Sequence, residues 1–561
     1  MADLLLLLDA ESIVPAVGLA ASLPRCRARV FDPTLLDRAR QSGLAEVEYL
    51  PWRPMTPHDE LCRWADEQAR TVDRRLQTAL AAIDDRTDVQ GWQQLNLYYQ
   101  FRTLRWYSEL WAAQVDSLGD ALLHLPVCDN TAQYYWPSFL PAVLLLQRLR
   151  ASGREFRGFT FGARADLWQQ VPDIARLALR GDEVLTHLPT CFYDAGYFAD
   201  ELAAAGHPVV NLQARQWDVL VPGARQVSLT PLEAALASLP PSAHERLQAQ
   251  RASAQAVIDE ALLPWLPSSS YRERQASGFA DMLHAQLVVS ALLDAQDPDA
   301  RPQRLLMSEH DSGFHGPLLS WARRRGVQTL LVPHSKTMTD IEFPTRGCTV
   351  FTHALQGEAP LDAQRQQVRH ATLAYPETLR CELGAAPALR TVGLLLNGLS
   401  LGGVIFSPYD DYTEGIQRIA EWCRRQGLAL AVRSRPGQVL ASVLQQHAGL
   451  DAGQVQAGSV QSLKDFVGSV DVCLMYDAPT NAASEFLRAG VPILNLVIDA
   501  LSRSERLTCS EQVVPRLDLA AALQTLEHFV ADPTRAQLFR QRQFARYVQA
   551  LEPARPLRHW L

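Results

Sequence analysis

Short apolar runs alternate with amphipathic stretches along most of the chain, which is the rhythm of strands and helices in a parallel α/β protein. Leucines 4–8 open a strand read over 3–8, and the pattern continues with a helix over 12–23 and strands over 27–32 and 46–50. From about Thr56 to Gln114 the period becomes helical and the residues turn to Arg, Gln, Trp and Tyr (QGWQQLNLYYQFRTLRWYSELW), predicting a helical insertion. Strand character returns in ALLHLPV (121–127), followed by a helix beginning at Pro137, a position where proline is tolerated. DEVLTHLP, DAGYFADELAAAG and HPVVNL then read as strand, helix and strand. Residues 229–300 are again helical throughout, after which RLLMS enters a polar loop, SEHDSGFHG (308–316), followed by helix PLLSWARRRG and strand VQTLLVPHS. Weak signals and prolines at 360, 376 and 387 mark 353–389 as a linker.

The alternation restarts at Thr391 with TVGLLLN, a loop GLSLGG, a helix over 413–426 and strand LALAVRS. It ends with a buried strand (Val470 to Tyr476), a polar turn (Asp477 to Asn481), a helix, a strand reaching Leu496, and two helices split by DPT. Glycines 206, 326, 427 and 490 close helices and each is followed quickly by a β-rich run, as in parallel construction. The expected fold is therefore α/β, with two Rossmann-like domains facing a cleft and helical insertions in the first half. The first domain spans 1–352 on the acceptor side, with insertions at about 56–115 and 229–300. A linker at 353–390, a nucleotide-binding domain at 391–545 and a tail at 546–561 complete the expectation. A length of 561 residues exceeds what one core supports. Ligands of open parallel sheets gather beyond the carboxyl ends of strands. The polar loops DAES, CDNTAQ, SEHDSGFHG, PHSK, NGLSLGG, RSRPG and YDAPTN all fall there.

Composition narrows the classes. With 47% hydrophobic and 20% charged residues the chain is globular in character, and no stretch approaches the roughly 18 uninterrupted apolar residues of a membrane span. MADLLLLLDAES lacks a basic region and reads as a core strand in place of a signal peptide. A net charge of −8 argues against a general nucleic-acid binder. Nine scattered cysteines without a CxxC pair fit a reducing cytoplasm and no structural zinc. Of 53 basic residues only Lys336 and Lys464 are lysines, so 53 − 2 = 51 are arginines; Lys336, directly after a strand, is a compact charge suited to a phosphate.

The turn after Tyr476 holds the sharpest chemistry. Thr480 and Asn481 stand where the first amides of a helix point outward, an anion site, and Glu485 lies one helical turn on, where a carboxylate can take ribose hydroxyls. An ordinary crossover with a solvated Glu485 has the same pattern, so this unit alone does not decide. Arg433 and Arg435 in RSRPG are candidate phosphate clamps, with a pair of surface arginines as the alternative.

Over 391–545 the chain resembles GT-B-type, sugar-nucleotide-dependent glycosyltransferases of the surface-polysaccharide kind. The likeness rests on NGLSLGG, RSRPG, SLKDFVGSVDVCLMYDAPTNAASEFLRAGVPIL and DPTRAQLFRQRQFARY. It implies that the loop with Gly398 and Ser400 approaches the diphosphate, that Arg433, Arg435, Asp477, Thr480, Asn481, Glu485 and Lys336 surround the nucleotide, and that the closing helices cross back to the first domain. Asp477 stands where the commonest retaining pattern has the first of two glutamates, which leaves donor and stereochemistry open. The donor is a UDP-, GDP- or CMP-sugar used as substrate, with no further cofactor, and the acceptor a glycan or lipid-linked hydroxyl. A cytoplasmic site with peripheral membrane association fits that role. An inverting reaction needs a base; His310 and Asp311 lead, with Asp9, Glu11, Asp129 and His334 behind them. His310, His315 and His334 form no carboxylate–histidine ligand pattern, so no catalytic metal is expected. A sugar-nucleotide epimerase on the same scaffold and a non-catalytic glycan-assembly partner are the competing readings.

Overall fold

The computed structural model describes residues 3–8, 10–23, 25–32, 34–50, 56–128, 140–161, 168–188, 195–213, 221–308, 313–332, 348–352, 369–373, 383, 388–396, 409–434, 441–477, 480, 482–498 and 510–561. Its first unit runs β1 (Asp3–Leu7), α1 (Ile13–Ala20), β2 (Cys26–Val30), α2 (Thr34–Gln41) and β3 (Val47–Tyr49). Two long helices follow, α3 (His58–Ala81) and α4 (Gln94–Gln114), and then β4 (Leu122–Cys128), α5 (Leu140–Ala151) and β5 (Phe156–Phe161). The five strands form one sheet in the order β3-β2-β1-β4-β5, all neighbours parallel.

The second unit comprises β6 (Gln170–Pro172), β7 (Val184–His187), α6 (Ala195–Ala205), β8 (Val209–Leu212), β9 (Arg225–Val227), β10 (Leu229–Pro231) and the helices α7 (Leu232–Ala237), α8 (Pro241–Leu262) and α9 (Ser269–Asp294). It continues with β11 (Arg304–Ser308), α10 (His315–Arg325), β12 (Gln328–Val332), β13 (Thr349–Thr352) and β14 (Arg369–Thr372). Seven of these strands make a sheet ordered β14-β13-β12-β11-β7-β8-β9, while β6 and β10 pair separately and antiparallel. The third unit is β15 (Thr391–Leu396), α11 (Tyr409–Arg425), β16 (Ala429–Ser434), α12 (Ala441–Ala448), α13 (Ala452–Val460), α14 (Leu463–Gly468), β17 (Val472–Tyr476), α15 (Ala483–Arg488), β18 (Ile493–Val497), β19 (Arg516–Asp518), α16 (Leu519–Ala531) and α17 (Pro533–Leu551). Its parallel sheet is ordered β16-β15-β17-β18-β19.

The α/β class and the Rossmann-like units thus stand as expected, but the part of the chain anticipated as a single domain over 1–352 contributes to two large parallel sheets. The reason lies in β1. Side chains alternate across a strand, and the two faces of its leucine run enter different cores. Leu4 and Leu6 join a cluster with Leu185, Leu305 and Met307 of the second sheet, through α3, α4, α8 and α9. Leu5 and Leu7 join Val392, Leu394 and Leu396 of the third, through α1, α2, α11 and α12. The first sheet therefore lies between the other two. The supposed insertions form one helical layer shared by the first and second sheets. Helix α9 is long and apolar enough on average to cross a bilayer, although Asp281, His284 and Gln286 interrupt its apolar run as expected, and most of its apolar window is buried in this layer. The second sheet also takes in β14 from the stretch expected to be a linker.

The C-terminal segment returns to the second unit. From α17, Gln543 reaches β18, where its Oε1 accepts from the Ile493 amide at 2.9 Å and its Nε2 donates to the carbonyls of Ile493 (2.7 Å) and Val513 (3.0 Å). Arg555 then bridges to Leu373, Leu557 is buried among Val184, Leu306 and Phe351, and the Arg558 amide donates to Glu201 at 3.0 Å. All four helix-closing glycines read from the sequence have left-handed φ, from 64° to 74°.

One buried acid in the helical layer gives a pH signature. Asp73 on α3 accepts from the Gly91 amide at 2.6 Å and the Gln93 amide at 3.3 Å. Burial pushes its carboxyl up to about 6, the two amides only partly opposing. A raised carboxyl favours the protonated fold, so this contribution is complete below about pH 4 and is lost as pH rises through about 6. Melting curves between pH 4 and 7 should show wild-type stability falling, relative to Asp73→Asn, by up to roughly 1.4 kcal/mol per pH unit within that window; parallel curves would contradict the assignment.

Candidate functional site

In an open parallel sheet the crevice for a ligand opens where the strand order reverses, between strands whose crossovers leave in opposite directions. The third sheet, counted along its own chain, is ordered 2-1-3-4-5, so its reversal lies between β15 and β17, at the ends marked by Leu396 and Tyr476. The turn read from the sequence as the chemical centre therefore stands at the topological switch point.

Strand β17 is buried along its whole length. The Tyr476 hydroxyl donates to the Tyr412 carbonyl at 2.6 Å, and the two rings meet edge to face with centroids 4.9 Å apart. Gly415 on α11 makes this possible, because a Cβ there would overlap the Tyr476 hydroxyl. Burial pushes both phenols well above their ordinary range, helped at Tyr412 by the Asp477 carboxylate and at Tyr476 by Tyr412 and then Asp477, so both stay neutral. Asp477 follows with φ 68°, and among the described residues no other non-glycine has positive φ. Its amide donates to the Leu496 carbonyl at 2.6 Å, tying the bend to β18. Left-handed backbone on a non-glycine residue costs free energy and concentrates at ligand sites.

Beyond the bend, the Thr480 amide donates to Met475 Sδ at 3.0 Å and its Oγ1 accepts from the Ala482 amide at 3.4 Å, setting the entry to α15. Glu485, in the first turn of α15, is half-buried and accepts from Arg488 Nη1 at 2.7 Å. The structure thus brings Asp477, Thr480 and Glu485 together around one strand–helix turn.

Arg433 is placed differently from its reading as a phosphate clamp. Its Nη1 donates to the carbonyls of Gly458, at 2.9 Å, and Gln461, and its guanidinium sits 5.9 Å from the centre of the Phe466 ring. Burial lowers its pKa. The side chain closes the end of α13, since carbonyls there lack helical partners and a cation suits the dipole. Candidates His310, Asp311, Gly398, Ser400, Arg435, Asn481 and Lys336 lie outside the described residues, as do Asp9, Asp129 and His334. Glu11 is exposed ahead of α1. His315 is buried at the start of α10, where its Nε2 donates to the Ser308 carbonyl at 2.5 Å and its ring centre lies 5.3 Å from that of His187. Sequence reading passed over His187, although a polar residue ending an apolar strand was the same signal used for Asp477. It ends β7, and β7 and β11 frame the reversal of the second sheet. Among the described residues no three His, Cys, Asp or Glu side chains are grouped to hold a metal ion.

No family model matches the chain, and no curated protein matches it. Among solved structures it is similar to MurG of Acinetobacter baumannii at 11% identity, over 67% of this chain and 96% of that one, with a TM-score of 0.35. It is also similar to a UDP-N-acetylglucosamine 2-epimerase (11%, 67% and 95%, TM-score 0.31). A third is the lipopolysaccharide outer core galactosyltransferase WaaB (7%, 66% and 98%, TM-score 0.32). The GT-B-type arrangement rests on the chain's own second and third parallel sheets and on the terminal segment that returns from one to the other.

The bend at Asp477 yields a direct test. Glycine adopts φ 68° without strain, whereas a β-branched residue there is an outlier. Asp477→Gly should melt within a few degrees of wild type or above it, while Asp477→Val should lose about 1–3 kcal/mol; equal melting of the two variants would show that the backbone conformation is not the constraint.

Proposed function

We propose that the chain is a glycosyltransferase that moves a sugar from a nucleotide-activated donor (a UDP-, GDP- or CMP-sugar) to a hydroxyl of a glycan or lipid-linked acceptor. The observation that carries this reading is the left-handed Asp477 at the switch point of the third sheet, with Thr480 and Glu485 beside it. In such sheets an elongated nucleotide is accommodated beyond the carboxyl ends of the strands at the switch point, where Asp477 stands. The Thr480 hydroxyl at the entry to α15 is proposed as a donor for a phosphate oxygen, and the Glu485 carboxylate as an acceptor for ribose hydroxyls. With the Arg433 guanidinium engaged on α13, the phosphate role in RSRPG passes to Arg435, joined by Gly398, Ser400, Asn481 and Lys336 from the neighbouring loops.

In the reaction the acceptor oxygen forms a bond to the anomeric carbon while the bond from that carbon to the donor phosphate oxygen breaks. The nucleotide phosphate leaves with the bonding pair, and the acceptor proton passes to a base, for which His310 and Asp311 are the proposed residues. Donors aimed at the leaving phosphate stabilise its developing charge, so this scheme requires no resident metal. The setting proposed is glycan assembly in the cytoplasm, at or near a membrane surface.

Titration of the full chain with UDP, GDP and CMP tests the reading. One of the three should bind, and Glu485→Ala and Arg435→Ala should each weaken it by roughly tenfold, about 1.4 kcal/mol. Loss of the half-buried Arg488 pair in the first variant should change stability by about 1 kcal/mol or less. Unaltered affinity in both variants would place the nucleotide elsewhere. A parallel screen of nucleotide sugars separates transfer or hydrolysis from release of an epimerised free sugar and from no turnover, the last two outcomes favouring an epimerase or a non-catalytic role.

A further inference from the structure

Charge is spread unevenly along the chain. Residues 533–561 hold six arginines and one acid, Glu552, a balance of 6 − 1 = +5, whereas the whole chain carries −8. Most of this segment is α17, and the two sides of that helix differ in character. One side enters the protein: Gln543 and Tyr547 are buried, and Phe539 meets Phe529 with ring centres 5.2 Å apart. The opposite side lies in solvent. At about 100° per residue, Leu538, Ala545 and Val548 fall in one outward stripe, and Arg535, Arg542 and Arg546 in the stripe beside it. Leu538 and Val548 are 45% and 43% exposed, large apolar side chains that folding has left in water. Arg535 pairs loosely with Asp532 at 3.5 Å. Among the described residues Arg542 and Arg546 form no ion pair; Arg546 Nη1 donates to the Gln512 carbonyl at 3.1 Å, which holds the side chain without cancelling its charge.

The contacts of α17 also fix where this face lies. Arg540 donates to the Gly490 carbonyl, just ahead of β18, and Gln543 bonds Ile493 at the start of β18 and Val513 ahead of β19. The helix therefore crosses the amino ends of the third sheet, while the crevice opens at the carboxyl ends. An occupant of the outer face of α17 leaves that crevice uncovered.

We propose that the outer face of α17 docks on an anionic lipid bilayer, with its arginines against headgroup phosphates and Leu538 and Val548 entering the boundary with the acyl chains. Charge complementarity selects this occupant. Apolar side chains beside a row of cations are the pattern of a helix that lies in a membrane interface, and an anionic leaflet attracts basic groups held at its surface. A nucleic acid would give Leu538 and Val548 no role, and would meet a chain whose other residues sum to −8 − 5 = −13. A second copy would set arginines against arginines. The inference rests on the proposed function for its purpose, which is to hold the enzyme beside a lipid-linked acceptor; the docking itself does not depend on turnover.

Flotation of the full chain tests this with vesicles of phosphatidylcholine alone and of an equal mixture with phosphatidylglycerol. Wild type should bind the mixed vesicles, stay off the neutral ones, and be released as salt rises. Arg542→Gln combined with Arg546→Gln should lower the partition coefficient roughly 10- to 30-fold, about fivefold for each arginine. Leu538→Ser combined with Val548→Ser should lower it by roughly tenfold. Arg176→Gln, a change at a side chain 88% exposed on the second unit, should alter it by less than about twofold. All three variants should melt close to wild type, because these side chains lie in solvent. Failure of wild type to bind the mixed vesicles at low salt, or equal losses in all three variants, would overturn the proposal. So would binding that needs the arginines but not Leu538 and Val548, which marks a general polyanion site, or a wild-type dimer that the Leu538 and Val548 changes dissolve, which assigns the face to a second copy. Vesicle binding by a chain that turns over no nucleotide sugar would defeat the proposed function and leave the docking face standing.

Discussion

Parallel pairing is the constraint from which the rest of this structure follows. A parallel strand cannot return through a tight hairpin, so each must be joined to the next by a crossover, and these crossovers cover both faces of the sheet. In the three large sheets every described pairing is parallel. All carboxyl ends of one sheet consequently lie on one side, and the handedness of the crossovers leaves a reversal point at which two of them diverge. The third sheet shows the effect most clearly, because its two central strands at that point, β15 and β17, are followed by the loops with the densest chemical signals.

The same constraint explains the stacking of units. A sheet buried on both sides needs two apolar layers. The leucines of β1 meet this need by contributing alternately to the core shared with the second sheet and the core shared with the third. The first unit thereby links the two lobes that a GT-B-type arrangement requires, and the terminal segment links them again when Leu557 enters the core of the second unit. Between first and second sheets the helical layer does more than fill space. Its buried amides run from Asp73 to Gly313, joining α3, α4 and α9 to the end of β11.

Much of the local structure was legible because it depends on neighbouring residues. Gly206, Gly326, Gly427 and Gly490 end helices for a reason contained in the backbone itself. The DPT split between α16 and α17 is of the same kind: Asp532 accepts from the Thr534 amide at 2.9 Å and Pro533 occupies a first-turn position. What could not be read depends on distant pairing. Nothing local to β5 says that the first sheet stops there, and nothing local to β14 says that a strand from an apparent linker joins the second sheet. Arg433 illustrates the difference within a single site. A basic residue at a strand end fits either a phosphate or a helix terminus, and the carbonyls of Gly458 and Gln461, some 25 residues on, take it. Asp477 was legible as polar and well placed, but its left-handed backbone follows from the bond to Leu496 on the adjacent strand.

In the proposed function the nucleotide binds at the third sheet and acceptor chemistry sits at the second, with the first as a brace. That division of labour turns on where the nucleotide binds. A crystal structure of the full chain with UDP, GDP or CMP bound tests this most directly. The expected result is a nucleotide lying across the carboxyl ends of β15 and β17, its phosphate at the entry to α15 and its ribose against Glu485. A nucleotide held at the reversal point of the first or second sheet, with the turn after Tyr476 untouched, would contradict it.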